Sequence, residues 1–253
     1  MGLSKFTNVK ISAIATVVPE HEINIYDETQ YYGNSVKKID RMRKMVGFHK
    51  RRTIDDNSTA ADLGICAARR LIQNNQVDIT KIDALVNVVQ EPDYAKPATA
   101  FFIHNKLGMN KNTPAIDVNE GCPGFVYGMW LVSSLIQSRA CNRVLLVCSD
   151  SPSVAIPLDN RNSAPIFGDA GSAILCEYSE DLINSYYNIE VQSDGFESII
   201  TPTSGRRFLH DNNINQRISF FQEIVEDTLT NQNGQEVSFF FELHIKPITR
   251  TND

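Results

Sequence analysis

One cysteine in this chain has the surroundings of a nucleophile. Cys122 lies in the run Asn119-Glu120-Gly121-Cys122-Pro123-Gly124-Phe125, between a short apolar segment at 114–118 and a stretch at 125–136 whose apolar residues recur at helical spacing. The first segment reads as a buried strand and the second as a helix, so the sulfur is expected where a strand hands over to a helix. Pro123 suits a first helical position because it has no N–H to leave unpaired. Gly121 and Gly124 allow a tight backbone, and the unpaired amides of the first helical turn are expected to point back at the sulfur. Free thiols titrate near ~8.5, and a helix N-terminus can bring that down to roughly 3.5–7.5. Such a placement favours the thiolate, which is the nucleophilic form. The competing reading is a small packing residue at a glycine turn, since free cysteine is among the most buried residue types.

Other side chains with chemical potential sit in plainer contexts. Cys66, Cys141, Cys148 and Cys176 fall inside apolar periodic stretches and read as packing residues. Five cysteines are an odd number, and none shows C-x-x-C spacing. Neither a zinc site nor a disulfide framework is indicated, and a reducing compartment fits better. His104 falls on a helical stretch at 97–107 with no partner near it in sequence, and reads as structural. Asp169, in Phe167-Gly168-Asp169-Ala170-Gly171, is expected to cap the backbone of a glycine turn rather than serve as an acid or base.

The elements that must position Cys122 follow from patterning. Residues 9–18 alternate and read as a first strand, and 84–89 form a continuous apolar run, the mark of a strand buried on both faces of a parallel sheet. Ser58 and Thr59 cap a helix whose apolar stripe includes Leu63, Ala67 and Leu71. Residues 143–149 read as another buried strand, 173–178 as a strand after the glycine turn, and 186–192 as a further alternating one. Strand, helix, strand, helix, strand in succession implies a parallel sheet with helices on its faces. Residues 152–165 form a polar loop, 208–232 a long polar connection and 235–246 an apolar, aromatic helix.

Composition narrows the class. The chain has 253 residues, 42% hydrophobic and 21% charged, which is globular and ample for a core. Lys plus Arg is 24 and Asp plus Glu is 30, a net charge of −6, which argues against a general nucleic-acid binder. No apolar run is long enough for a membrane span, and the N-terminus has no continuous apolar leader region. Against the acidic whole stands a basic group: Lys37, Lys38, Arg41, Arg43, Lys44, His49, Lys50, Arg51 and Arg52.

Several of these segments, in this order, resemble the ketoacyl synthase III group of thiolase-fold condensing enzymes. The run 119–128 is similar to the family's nucleophile turn, and 44–52 to its early Gly-aliphatic-basic segment. Residues 166–173 resemble its Phe-Gly-Asp turn, Asp194-Gly195 the turn that follows, and 233–237 the opening of its second half. The resemblance covers about residues 9–247. It implies an α/β, thiolase-like layered fold: residues 1–205 as a complete first half with a mostly parallel sheet and flanking helices, and 206–253 as a connection and the truncated start of a second half. It further implies acyl transfer from acyl-CoA or an acyl carrier protein to Cys122, followed by condensation with a malonyl thioester. The thioester is the substrate, with no metal and no redox cofactor.

Arg161 matches an arginine that the family places by the mouth of its substrate tunnel, which implies a substrate-binding role through a bidentate phosphate contact; the alternative is an exposed loop arginine. The basic group reads either as a solvated face or as a landing area for coenzyme A phosphates or the acidic surface of an acyl carrier protein. Where family members often carry a tryptophan upstream of that group this chain has Arg41, and its one tryptophan is Trp130. The family's second-half histidine and asparagine segments have no counterpart among His21, His49, His104, His210 and His244. The alternative function is therefore a catalytically incomplete homologue acting as a binding or structural subunit. By resemblance the chain is also expected to be a cytoplasmic homodimer, pairing edge to edge at 114–118.

Overall fold

The computed structural model describes residues 3–198, and the expectations placed on 208–232, 233–237 and 235–246 lie outside them. The chain divides into two compact units, Met1–Ile189 and Glu190–Asp253. In the first, β1 (Leu3–Phe6), β2 (Val9–Val17) and β3 (Glu22–Asn24) are followed by a 3₁₀ helix at Ile25–Tyr32, α1 (Val36–Val46), β4 (Lys50–Arg52) and α2 (Ala60–Asn74). Then come β5 (Ala84–Val88), α3 (Thr99–Leu107), β6 (Ala115–Val118), α4 (Gly124–Gln137), β7 (Arg143–Asp150), β8 (Ala170–Tyr178) and β9 (Ser185–Asn188). In the second, Ser193–Ser198 is a 3₁₀ turn over the expected Asp194-Gly195 turn.

The central sheet has five strands in the order β2-β8-β7-β5-β6. β6, β5 and β7 pair in parallel, and β8 runs antiparallel to both β7 and β2. Four strands therefore share one direction and β8 alone is reversed, the mostly parallel sheet expected of a thiolase-like α/β fold.

Alternation along the strands sends successive side chains to opposite faces, and each face is covered. Leu85, Leu145, Val147 and Leu175 pack under Ala67, Ala68 and Leu71 of α2 and Ala100 and Ile103 of α3. Val86, Val144, Leu146 and Ile174 pack under Met129, Val132 and Ile136 of α4. Each such buried aliphatic side chain contributes about 1.5–3 kcal/mol, so the two faces fix which way every loop leaves the sheet. α2 starts at the anticipated cap: Thr59 accepts from the Asp62 N–H, and the Asp62 carboxylate accepts from the Thr59 N–H at 3.1 Å, a reciprocal capping box.

Three expectations need correction. The segment before Cys122 is not a buried strand but the sheet's edge strand β6, half-buried, with Ile116 41% exposed. The last alternating segment is shorter than expected and pairs with β1 in a separate two-stranded ribbon, not with the central sheet. Cys66 faces out from α2 rather than into the core.

Candidate active site

The sheet registers bring Cys122, the Arg161 loop and the basic segment to one end of the molecule. β5, β6 and β7 run in parallel and end together, at Val88, Val118 and Asp150. Asp150 pairs with Ala170 and Val17 with Gly171, so β8 begins and β2 ends at that same edge. The excursion between β2 and α2, residues 18–59, therefore leaves from this end. α3 and α4 depart from the ends of β5 and β6 to opposite faces of the sheet, and at such a divergence α/β sheets open a crevice for ligands.

Cys122 is exposed in the turn between β6 and α4. Gly121 takes the left-handed conformation at φ 60°, which turns the chain there. The helix starts at Gly124, so Pro123 occupies the capping position, one residue earlier than anticipated. Its carbonyl accepts from the Val126 and Tyr127 N–H groups, and the Gly121 carbonyl accepts from Gly124 N–H at 2.9 Å. Fewer amides are thus open than the sequence suggested: of the residues flanking Pro123 and Gly124, the Cys122 and Phe125 N–H groups make no backbone hydrogen bond among the described residues. The helix start is set by close contact. A Cβ on Gly124 would lie 2.6 Å from Val88 Cγ1, and one on Gly128 would lie 2.7 Å from Val88 Cγ2 and 3.0 Å from Leu146 Cδ1. Two glycines one turn apart seat α4 directly on β5 and β7.

The loops around the turn are held by carboxylates that sequence reading did not single out. Asp117 of β6 accepts from the Thr99 and Ala100 N–H groups at 2.6 and 2.8 Å and from Asn87 Nδ2 at 2.8 Å. It caps α3 from a distance, a task its own capping residue Ala98 cannot perform. Asp150 accepts from the Gln90 and Glu91 N–H groups, fixing the loop after β5, and the Gln90 side chain lies beside Gly121. Asp93 in turn accepts from Thr59 Oγ1 at 2.9 Å, tying that loop to the start of α2. Burial pushes the Asp150 carboxyl up, and burial followed by the nearby Asp150 charge does the same to Glu91. A carboxylate within an apolar strand, as in Ala115-Ile116-Asp117-Val118, was the available signal for Asp117.

Asp169 caps backbone, as expected, but that of distant segments. Its carboxylate accepts from Ile54 N–H at 2.8 Å and Ser153 N–H at 3.1 Å.

Arg161 is neither exposed nor free. Its Nη2 donates to Glu28 Oε2 at 2.9 Å and to Tyr32 Oη at 2.8 Å, its Nη1 donates to the Leu158 carbonyl, and its guanidinium lies 4.5 Å from the Tyr32 ring centre. Glu28 also receives Arg51, which sequence reading grouped with the surface cations; the Arg51 and Glu28 side chains are only 5% and 6% exposed. Burial acts to raise the Glu28 carboxyl, but its hydrogen bonds to Arg51 and Arg161 outweigh that and hold it below the usual carboxylate range. The triad carries a net positive charge, and Arg161 Nε is buried without a hydrogen-bond partner. Any phosphate gripped by both terminal nitrogens of Arg161 has to compete with Glu28 and Leu158.

The described histidines are engaged elsewhere or exposed. His21 bonds Thr53 Oγ1 at 2.9 Å, His104 bonds the Asn110 carbonyl at 3.0 Å in the structural role expected of it, and the His49 side chain is exposed. His210 and His244 lie outside the described residues. Among the described residues no group of three or more His, Cys, Asp or Glu side chains is placed to hold a metal ion, and no helix is long and apolar enough to cross a membrane. An open groove of about 430 Å³ lies at the opposite end of the sheet, between Lys81, Arg143 and Glu177, away from the cysteine turn.

Residues 116–195 match the family model for 3-oxoacyl-[acyl-carrier-protein (ACP)] synthase III. A Campylobacter jejuni protein assigned as 3-oxoacyl-[acyl-carrier-protein] synthase 3 is 39% identical over 207 residues, covering 81% of this chain and 58% of that protein. Beta-ketoacyl-[acyl-carrier-protein] synthase III 2 of Staphylococcus epidermidis is 33% identical over 74% of this chain and 56% of its own length. Among solved structures, a 3-oxoacyl-(acyl-carrier protein) synthase of Burkholderia xenovorans superposes with a TM-score of 0.77 at 30% identity, over 80% of this chain and 58% of that one. OleA of Xanthomonas campestris, at TM-score 0.63 and 22% identity, shares the fold. The chain spans less than two thirds of the length of these relatives. A cysteine turn on an edge strand, a helix seated by paired glycines, the Phe-Gly-Asp segment and these matches lead to one conclusion: the chain belongs to the ketoacyl synthase III-like family of thiolase-fold condensing enzymes.

Proposed function

We propose that Cys122 accepts an acyl group from an acyl-CoA or acyl carrier protein thioester, as the first half-reaction of a 3-oxoacyl-(acyl carrier protein) synthase III-like condensation in fatty acid or related lipid or polyketide biosynthesis. The observation that carries this reading is the exposed sulfur of Cys122 in a turn with two unpartnered backbone amides. The thiolate attacks the thioester carbonyl, and negative charge collects on its oxygen. Amide donors held by the fold stabilise that charge without reorganising. The donor's carbon–sulfur bond then breaks, its thiolate leaves and takes up the proton that Cys122 had released, and the acyl group stays on the Cys122 sulfur. Arg161, already oriented on Glu28 and Tyr32, is the proposed contact for the ligand's phosphate. Incubation with a short acyl-CoA should add one acyl mass to the wild type and none to Cys122→Ser; equal labelling of the two proteins removes the assignment.

The second half-reaction, decarboxylation of a malonyl thioester and attack of the resulting enolate on the acyl group, needs donors aimed at the enolate oxygen. His21 and His104 are engaged with Thr53 and Asn110, which favours a second reading, that of a catalytically incomplete homologue serving as a binding or structural subunit. Preloading Cys122 and following carbon dioxide release with malonyl-CoA separates the two readings. A cytoplasmic homodimer goes with the enzyme reading, formed at the β6 edge where backbone groups remain unpaired. A stable monomer by light scattering at micromolar concentration argues against it.

A further inference from the structure

The loop that follows β5 runs against the cysteine turn. Val89 N–H donates to the Val118 carbonyl at 3.2 Å, which carries the parallel pairing of β5 and β6 past their ends and brings residue 90 level with the turn at 119–122. The Asp150 carboxylate accepts from the Gln90 and Glu91 N–H groups at 3.1 and 3.0 Å, so the backbone of both residues is fixed to the end of β7. From this clamped backbone the Gln90 side chain reaches Gly121. A Cβ on Gly121 would lie 3.5 Å from Gln90 Oε1, the only group among the described residues within 4 Å of that point. Gly121 is left-handed at φ 60° and has no side chain of its own to hold it there. The other end of the Gln90 amide donates to the half-buried Glu91 carboxyl. Burial, then the Asp150 charge, push that carboxyl up, and the Gln90 contact opposes them.

The peptide that follows Gly121 is the reason this contact matters. A trans peptide is planar, with its C=O and N–H opposed. The Gly121 carbonyl is turned to Gly124 N–H at 2.9 Å, so the Cys122 N–H, one of the two amides here that make no backbone hydrogen bond among the described residues, points the opposite way. The dihedrals of Gly121 therefore aim that donor. We propose that Gln90 is a positioning residue for Cys122: braced by Glu91, its side chain holds the Gly121 turn so that the Cys122 N–H keeps its direction for the oxyanion of acyl transfer. The proposal rests on the acyl-transfer reading above and adds to it a residue that acts through the turn and not on the reacting atoms.

Q90A removes the brace, and Q90E keeps its shape but sets a second carboxylate against Glu91. Both are expected to lower the limiting single-turnover rate of Cys122 acylation at least about tenfold, with acetyl-CoA or octanoyl-CoA as donor. The donor concentration that gives half that rate should stay within about threefold, because a misaligned amide is missed only as charge develops on the oxygen. Q90E/E91Q exchanges the amide and the carboxyl and should recover the rate to within about threefold of wild type, a rescue that a merely structural role would not give. Alkylation of Cys122 by iodoacetamide forms no oxyanion and should change by no more than about threefold in any of these variants. Gln90 is exposed, so the urea midpoint should stay at the wild-type value. Wild-type acylation in both Q90A and Q90E overturns the proposal. So does a loss that is equal in acylation and alkylation, which assigns the effect to the thiol, or a Q90E loss that the exchange fails to recover. If the wild type takes an acyl group from neither donor, the transfer reading falls, and hydrogen exchange decides for Gln90. The Gly124 amide, which closes the turn, should then exchange at least about fivefold faster in Q90A, and an unchanged rate overturns the brace.

Discussion

The two ends of the central sheet use the same residue types under different constraints. Each has a cysteine: Cys122 is exposed in a glycine turn at one end, while Cys141, just before β7 at the other, is buried, and burial followed by the Asp83 charge pushes its thiol up. Each has arginine–glutamate pairing: Arg51–Glu28 is almost fully buried, whereas the Arg143 and Glu177 side chains remain 29% and 24% exposed. Burying charge is costly unless it is paired and hydrogen-bonded. Among the described residues the Cys122 end takes on that cost at the buried Glu28 and Asp169 and in part at the half-buried Asp150, and in each case the carboxylate joins segments apart in sequence. The other end closes its turns with partly solvated groups. Rigid positioning is concentrated where the thiol is open.

The sharpest way to test this contrast is to ask which thiol reacts. Iodoacetamide at neutral pH, with peptide mapping over time, should modify Cys122 at least about a hundredfold faster than Cys141, because the thiolate is the reacting species and burial withholds both charge and access. Comparable rates would mean that the two ends do not differ in the way their burial implies.

Breaking the buried ion pair should give the largest stability effect. Glu28→Gln leaves Arg51 and Arg161 without their shared counter-charge and is expected to cost about 3–5 kcal/mol, read by urea unfolding near neutral pH. The pH dependence has a definite sign. The Glu28 carboxyl is held below its ordinary value of 4.5, so its contribution is complete above that pH and is lost as pH falls through the lower, folded value. Wild type and variant should therefore converge in acid. A gap that persists undiminished at low pH would assign the loss to packing instead.

How much of this was legible beforehand depends on the range of each interaction. The cysteine turn, the Thr59 cap and the core strand β5 were visible because strand–turn–helix spacing, capping and apolar runs are local signals. The patterning of β6 did not show its edge placement, which the resemblance alone implied through edge-to-edge pairing at 114–118, since a short, largely apolar segment looks alike at an edge and in a sheet's centre until strand order is known. Arg51 reads as a surface cation because its partner Glu28 lies 23 residues upstream, and the anchoring of Arg161, expected as a phosphate contact or an exposed loop arginine, is invisible because its partners lie 129 and 133 residues away. Asp93, Asp117 and Asp150 escaped notice for the same reason: they serve backbone amides of other loops, which no spacing rule connects.

The seat of α4 provides a smaller perturbation at the Cys122 end. A side chain at position 128 has to displace Val88 and Leu146, and overpacking of this kind costs about 1–3 kcal/mol. Gly128→Val should lose stability in that range. It should also slow Cys122 acylation without removing the thiol, since the helix start moves with its seat. Full retention of both properties would show that α4 reaches its position by other contacts.

The smallest effect is expected at the opposite end. Arg143 Nε donates to Glu177 Oε1 at 2.6 Å across neighbouring strands, but water reaches both side chains. Exposed pairs of this kind contribute up to about 1 kcal/mol, and salt screens part of it. Arg143→Gln should therefore shift the urea midpoint slightly, by an amount that shrinks as ionic strength rises, and leave iodoacetamide labelling of Cys122 unchanged. The double variant with Glu177→Gln should lose little beyond the single one, because each partner left alone is still hydrated. A loss at Arg143 as large as that at Glu28 would mean that charge is as tightly held at this end as at the other. The concentration of buried carboxylates around the cysteine turn would then mark a general habit of the fold and not a device for fixing one site.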